Sequence, residues 1–169
     1  MSFYGSSTTT IYVNSNGSVS LMNGDTSFAA NASAFISGPP RVAGHWSDLA
    51  PHVGGTVEWT QSCGDTVVRF TGVPEVGAPS ETTTFHVSFL SGGSVTIDNA
   101  MVTPGWTTDS LVGFTPGAAV GGRVVNFSGL VGSTFAPPVG HAVFEHVPGG
   151  APSPFGSITL TASGDLVVN

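Results

Sequence analysis

The chain contains no lysine and only three arginines, against ten aspartates and glutamates. So few cations cannot neutralise a phosphate backbone, which excludes a nucleic-acid partner. Charged residues make up 8% of the 169, where about a quarter is usual. With Glu scarce and Lys missing, helical bundles and coiled coils are excluded as well. No apolar run approaches the roughly 18 residues of a membrane-spanning helix, so no membrane span is expected. The opening residues Met1-Ser2-Phe3-Tyr4-Gly5 have no basic segment and no apolar one, so no secretory signal is read in them. Cys63 is the single cysteine. It excludes an intramolecular disulfide and a thiolate-built metal site. It reads as a small hydrophobe at a strand end, with an intermolecular bridge as the alternative.

What is present points to β structure. There are 24 glycines and 12 prolines, together about a fifth of the chain against roughly 12% in ordinary domains. Hydrophobic residues reach 40%, with eleven Phe, ample for a core and incompatible with disorder. The formal charge of −7 aids solubility and argues against anionic partners. Period-two alternation recurs from end to end. Ile11 and Val13 lead through Asn16-Gly17 to Val19 and Leu21, and Asn-Gly between alternating runs is a strong hairpin signal. Val57, Trp59 and Gln61 share one face, Cys63-Gly64-Asp65 turns the chain, and Val68 and Phe70 return. Thr83, Phe85, Val87 and Phe89 form an inward face, followed by a Gly92-Gly93 turn and by Val95 and Ile97. Shorter strands are expected over 111–114, 124–127, 141–147, 158–160 and 166–168, the last two joined through Gly164-Asp165.

About ten short strands spaced by Gly, Pro, Ser and Asn predict an all-β fold, an antiparallel β-sandwich of jelly-roll-like character. At most one short helix is expected. It falls within 25–37, where Phe28, Ala32, Phe35 and Ile36 align after Asp25 as N-cap, and Gly38-Pro39-Pro40 ends it. Pro74–Pro79 and Pro148–Pro154 read as loops. Residues 1–169 therefore form one expected domain, completed by the strands of 118–169.

Chemistry-bearing clusters are few. His45, Asp48 and His52 carry two imidazoles and a carboxylate that a divalent metal accepts. Gly44, Pro51, Gly54 and Gly55 assign them to a loop, where spacing says little about geometry, so no metal is expected. Asp98, Asn99 and Asp109, in loops near Trp106, offer oxygens to calcium, but strand-ending Asx-turns are the preferred reading of such residues. On a strand His141 and Glu145 share a face while His146 points away. There is no Gly-x-Ser-x-Gly, no phosphate-binding loop and no paired carboxylate set, so no enzyme activity and no cofactor are expected. Among the tryptophans, Trp59 alternates with core positions and is expected to be buried. Trp106, between Pro104-Gly105 and Thr107-Thr108, is the candidate for an exposed ligand contact.

An ordered set of segments carries a resemblance. Phe3-Tyr4-Gly5 is followed by Ile11-Tyr12-Val13-Asn14-Ser15-Asn16-Gly17 and by Pro40-Arg41-Val42-Ala43-Gly44-His45-Trp46-Ser47-Asp48-Leu49. Val57-Glu58-Trp59, Val68-Arg69-Phe70-Thr71-Gly72-Val73-Pro74 and Thr84-Phe85-His86-Val87 come next, then Val112-Gly113-Phe114-Thr115-Pro116-Gly117 and Ala142-Val143-Phe144-Glu145. The chain resembles the nidogen-like (NIDO) extracellular domain and its bacterial secreted relatives. The resemblance implies an extracellular or cell-surface location, no catalytic residues, and structural roles for Asn16, Gly17, Trp46 and Asp48. Asn16-Gly17 would turn a hairpin, and Trp46 would pack under a loop in which Asp48 bonds backbone amides. Relatives usually carry strand sequence before Phe-Tyr-Gly, whereas only Met1 and Ser2 precede it here. Either the sequence is trimmed at this point, or an edge strand is expected from elsewhere.

Two functions follow as expectations. One is a non-enzymatic extracellular structural or adhesion module, contacting another extracellular protein or assembling with its own copies through neutral edge strands into filaments or a surface layer. The alternative is a lectin-type carbohydrate-binding domain, with or without calcium.

Overall fold

A computed structural model describes residues 2–103, 105–149 and 156–169, without the side chains of Ser2, Ser6 and 99–102. Of the expected Pro148–Pro154 loop, residues 150–154 lie outside the described residues.

The protein is a β-sandwich. A ribbon of β1 (Ser2–Phe3) and β2 (Ser6–Ser7) precedes two sheets. The first sheet draws on β3 (Tyr12–Asn14), β4 (Ser18–Ser20), β5 (Arg41–Trp46), β10 (Ser110–Thr115), β11 (Gly121–Val124) and β13 (His141–Val147). Its order is β11-β13-β10-β5-β4-β3, antiparallel except for the parallel pair β11 and β13. The second draws on β6 (Thr56–Ser62), β7 (Asp65–Glu75), β8 (Ala78–Phe89), β9 (Val95–Val102), β12 (Ser133–Phe135), β14 (Ser157–Leu160) and β15 (Leu166–Val168). Its order is β12-β15-β14-β9-β8-β7-β6, antiparallel throughout.

The main core lies between the sheets. Val42, Phe114 and Val143 from one meet Phe70, Phe85, Val87, Ile97 and Ile158 from the other. The Phe70 and Phe85 rings stack at 4.6 Å. The six-stranded sheet is also covered on its outer side by α1 (Ala32–Ser37), whose Phe35 packs with Trp46, Leu111 and Phe144. This double cover explains why every residue of β5 and β10 is buried and why neither alternates cleanly.

Several expectations are corrected. The helix has two turns at most, but its N-cap is Asn31, whose side chain accepts from the Ala34 N–H at 3.0 Å. Asp25 instead accepts from the Ser27 N–H and pairs with the buried Arg41 guanidinium, and Phe28 is exposed. His45, expected in a loop, lies on the central strand Arg41–Trp46. Proline did not break the chain at 74: β7 runs through Pro74, and Val76-Gly77 turns directly into β8. This is tolerated because Pro74 lies past the end of β6, which pairs only as far as Thr71, and its carbonyl takes the Ala50 N–H of a loop instead. Phe127, expected at a strand end, is a buried residue just before a short 3-10 turn.

Cys63 is exposed, not a packed hydrophobe. It opens the two-residue β6–β7 turn with φ 52°, and Gly64 follows at φ 89°. Two positive φ values make a type I′ turn, in which Asn is at ease and Cys is not. Cys63→Asn is expected to stabilise the protein by about 0.5–1 kcal/mol, read as a higher urea midpoint with unchanged slope. An unchanged or lowered midpoint would contradict this account of the turn.

Candidate functional site

The hairpin β3–β4 closes through Ser15-Asn16-Gly17, with Gly17 at φ 83°. A Cβ on Gly17 would lie 2.1 Å from the His45 carbonyl oxygen, so only glycine fits. That closeness lets the Gly17 carbonyl accept from the Gly44 and His45 N–H groups. The Asn16 side chain accepts from the Leu49 N–H and donates to the Ser27 carbonyl, which also receives the Trp46 indole N–H at 3.0 Å. Asn16, Gly17 and Trp46 thus lock the hairpin to the segment after β5. Asp48 contributes differently from expectation: its backbone carbonyl accepts from Val76, and its carboxylate has no hydrogen bond among the described residues.

β5 carries an extra residue between Ala43 and Trp46, opposite Gly113 and Leu111 of β10. Such a bulge re-aims side chains. His45 turns into the interior against Phe85 and Trp106, while Trp46 faces α1. His45 is 1% exposed, and neither ring nitrogen has a hydrogen-bond partner among the described residues. Burial pushes its pKa down to about 4, with the Glu75 carboxylate pulling weakly the other way.

Glu75, also 1% exposed, fastens the loop after β9. Its carboxylate accepts from the Thr107 N–H and hydroxyl and from the Thr108 N–H, at 2.6–2.9 Å for the closest contacts. Burial raises its pKa, but these hydrogen bonds outweigh burial and hold it below the ordinary range. The Ser47 hydroxyl meets the Thr108 hydroxyl at 2.6 Å and closes the same end of the sandwich. Trp106 is carried inward by this anchoring. It is 3% exposed with its ring 4.7 Å from that of His45, so it is no exposed ligand contact.

The other candidates separate. His45 is interior while His52 is exposed, so the His45, Asp48 and His52 set is not assembled. Asp98 lies within β9, not in a loop, and the side chain of Asn99 is outside the described ones. Asp109 is exposed, accepts from the Gly149 N–H and pairs with His146 at 3.5 Å. Glu145 accepts from the Phe127 N–H, and burial raises its pKa against that bond. The His141 ring contacts the Val139 carbonyl. Among the described residues no three His, Cys, Asp or Glu side chains group to hold a metal ion.

What is open is an edge. β6 is the last strand of the seven-stranded sheet, bonded only to β7, and all seven of its residues are exposed. Trp59 stands opposite Val68, and Val57 opposite Phe70. Both therefore share the core face of the sheet. Yet Trp59 is 64% exposed and Val57 36%, which corrects the expected burial of Trp59. The opposing sheet ends at β3, whose Val13 lines one groove with Trp59. The uncovered indole borders a groove of about 370 Å³ with Thr9, Thr10, Ile11, Val13, Gln61 and Thr66. On the outer face Arg69 donates to the Thr60 hydroxyl at 2.9 Å.

Comparison with protein-family models, curated proteins and solved structures finds no match to the chain.

Proposed function

We propose that the chain is a non-enzymatic structural or adhesion domain of an extracellular surface, nidogen-like in kind, which works by contact with other protein, its own copies included. The observation that carries this reading is the β6 edge. A seven-residue strand with unpaired backbone groups invites another strand, and native edges are usually guarded by Lys, Pro or cover. β6 has none of these: its sequence is Thr-Val-Glu-Trp-Thr-Gln-Ser, with Glu58 as its one charge. The buried ionisable residues support the same reading, because Glu75 and His45 are enclosed and Glu75 is spent on tying down a loop. Sedimentation velocity and electron microscopy across a concentration series test it. Concentration-dependent oligomers or ordered arrays are expected, and a monomer at every concentration would overturn it.

A second reading, carbohydrate binding, draws on the same groove. An exposed indole flanked by threonine hydroxyls and a glutamine amide has the parts to stack on and bond to a sugar ring. Trp59 takes the role expected of Trp106. A glycan array of the wild type and Trp59→Ala, with and without chelator, separates the readings. A glycan retained by the first and lost by the second supports this one.

A further inference from the structure

We infer that β6 is self-complementary: two copies of the chain join β6 to β6 antiparallel about a two-fold axis through Trp59, extending the seven-stranded sheet across both. The inference rests on the self-association reading and names its interface.

Antiparallel pairing about an axis normal to the sheet keeps each face continuous, so residues pair only with others of the same face. The register that overlaps the whole of Thr56–Ser62 sets Thr56 against Ser62, Val57 against Gln61 and Glu58 against Thr60, with Trp59 on the axis. Charge selects this register. The Arg69 guanidinium is already laid over Thr60 by its bond to that hydroxyl. Glu58 of one copy, brought opposite Thr60 of the other, therefore meets the Arg69 of that other copy, and symmetry makes the pair twice. Slipping the strands by two residues in one direction sets the two Glu58 side chains against each other on the axis, which is repulsive. Slipping the other way moves Glu58 from Thr60 to Ser62 and away from Arg69. The complementary register also brings the two Trp59 rings together on the core-side face of the sheet, where the indole is 64% exposed. Aromatic cross-strand neighbours stabilise a sheet in this position.

The test uses charge reversal and its cross-complementation. In sedimentation velocity the wild type is expected to dimerise, while Glu58→Arg and Arg69→Glu each lower the association constant at least tenfold. An equimolar mixture of the two variants is expected to regain the dimer, since each interface pair then has opposite signs. Hydrogen exchange of the unmodified protein supplies a readout free of any folding defect. Protection that rises with concentration is expected within Thr56–Ser62. If the wild type associates but neither variant weakens it, or if β6 gains no protection, the β6 interface is wrong while self-association stands. A wild type that never associates overturns both.

Discussion

Glu75→Gln is expected to lower the unfolding free energy by about 1.5–3 kcal/mol, the range for hydrogen bonding to a charged group. Three donors converge on this carboxylate: two from Thr107 and one from Thr108. Glutamine keeps the shape but offers one oxygen and turns an NH2 group toward amide donors. At least one N–H is then buried without a partner, which costs about 1–3 kcal/mol by itself. Against a total stability of about 5–15 kcal/mol, the loss is large. It is measured as the drop in urea midpoint, together with faster hydrogen exchange over 105–109. Glu75→Ala should cost at least as much, because it adds a cavity. A loss below about 1 kcal/mol for both variants would mean that the loop holds without its carboxylate anchor.

The sandwich was legible where one face of a strand is wet and the other dry. Thr83, Phe85, Val87 and Phe89 are all buried as their alternation demands, and His141–Val147 and Leu166–Val168 coincide with strands. Legibility fails where burial is two-sided. β5 lies between α1 and the facing sheet, and a bulge at Gly44-His45 shifts its phase, so its residues resemble a glycine-marked loop. β1, β2 and β12 are short and hold no two apolar residues in alternation, so they display no period.

At the candidate site the limits are of another kind. Alternation tells which face Trp59 takes, but not whether the opposite sheet reaches that far. Trp106 stands among turn residues and reads as exposed, yet the amides after it are drawn in by Glu75 from a distant strand. Glu75 itself had no local signal. It follows a proline, and its partners are mostly backbone amides, which leave no mark in a sequence. The edge was foreseeable in part: a chain without lysine has few means to guard an open strand, and β6 is such a strand.

The wild type is expected to lose stability as the pH falls from about 6.5 to about 4, and His45→Leu to lose little over that interval. Unfolded, this imidazole binds a proton near its ordinary pKa of 6.5; folded, burial holds it neutral down to about 4. Between those values the unfolded state binds the extra proton, so unfolding becomes more favourable with each step toward acid. The steepest slope is about 1.4 kcal/mol per pH unit, or about 3 kcal/mol over the window. Leucine removes the titration and the unpartnered ring nitrogens together, so at pH 7 the variant should be no less stable than the wild type beyond about 1.5 kcal/mol of repacking cost. Below the window both proteins should decline, because Glu75 and Asp25, each held below the ordinary carboxylate range in the fold, then become protonated and release what they bind. Urea titrations at half-unit intervals give the two curves. Parallel curves for wild type and variant between pH 6.5 and 4 would show that the imidazole is hydrated in the native state and that the bulge in β5 does not enclose it.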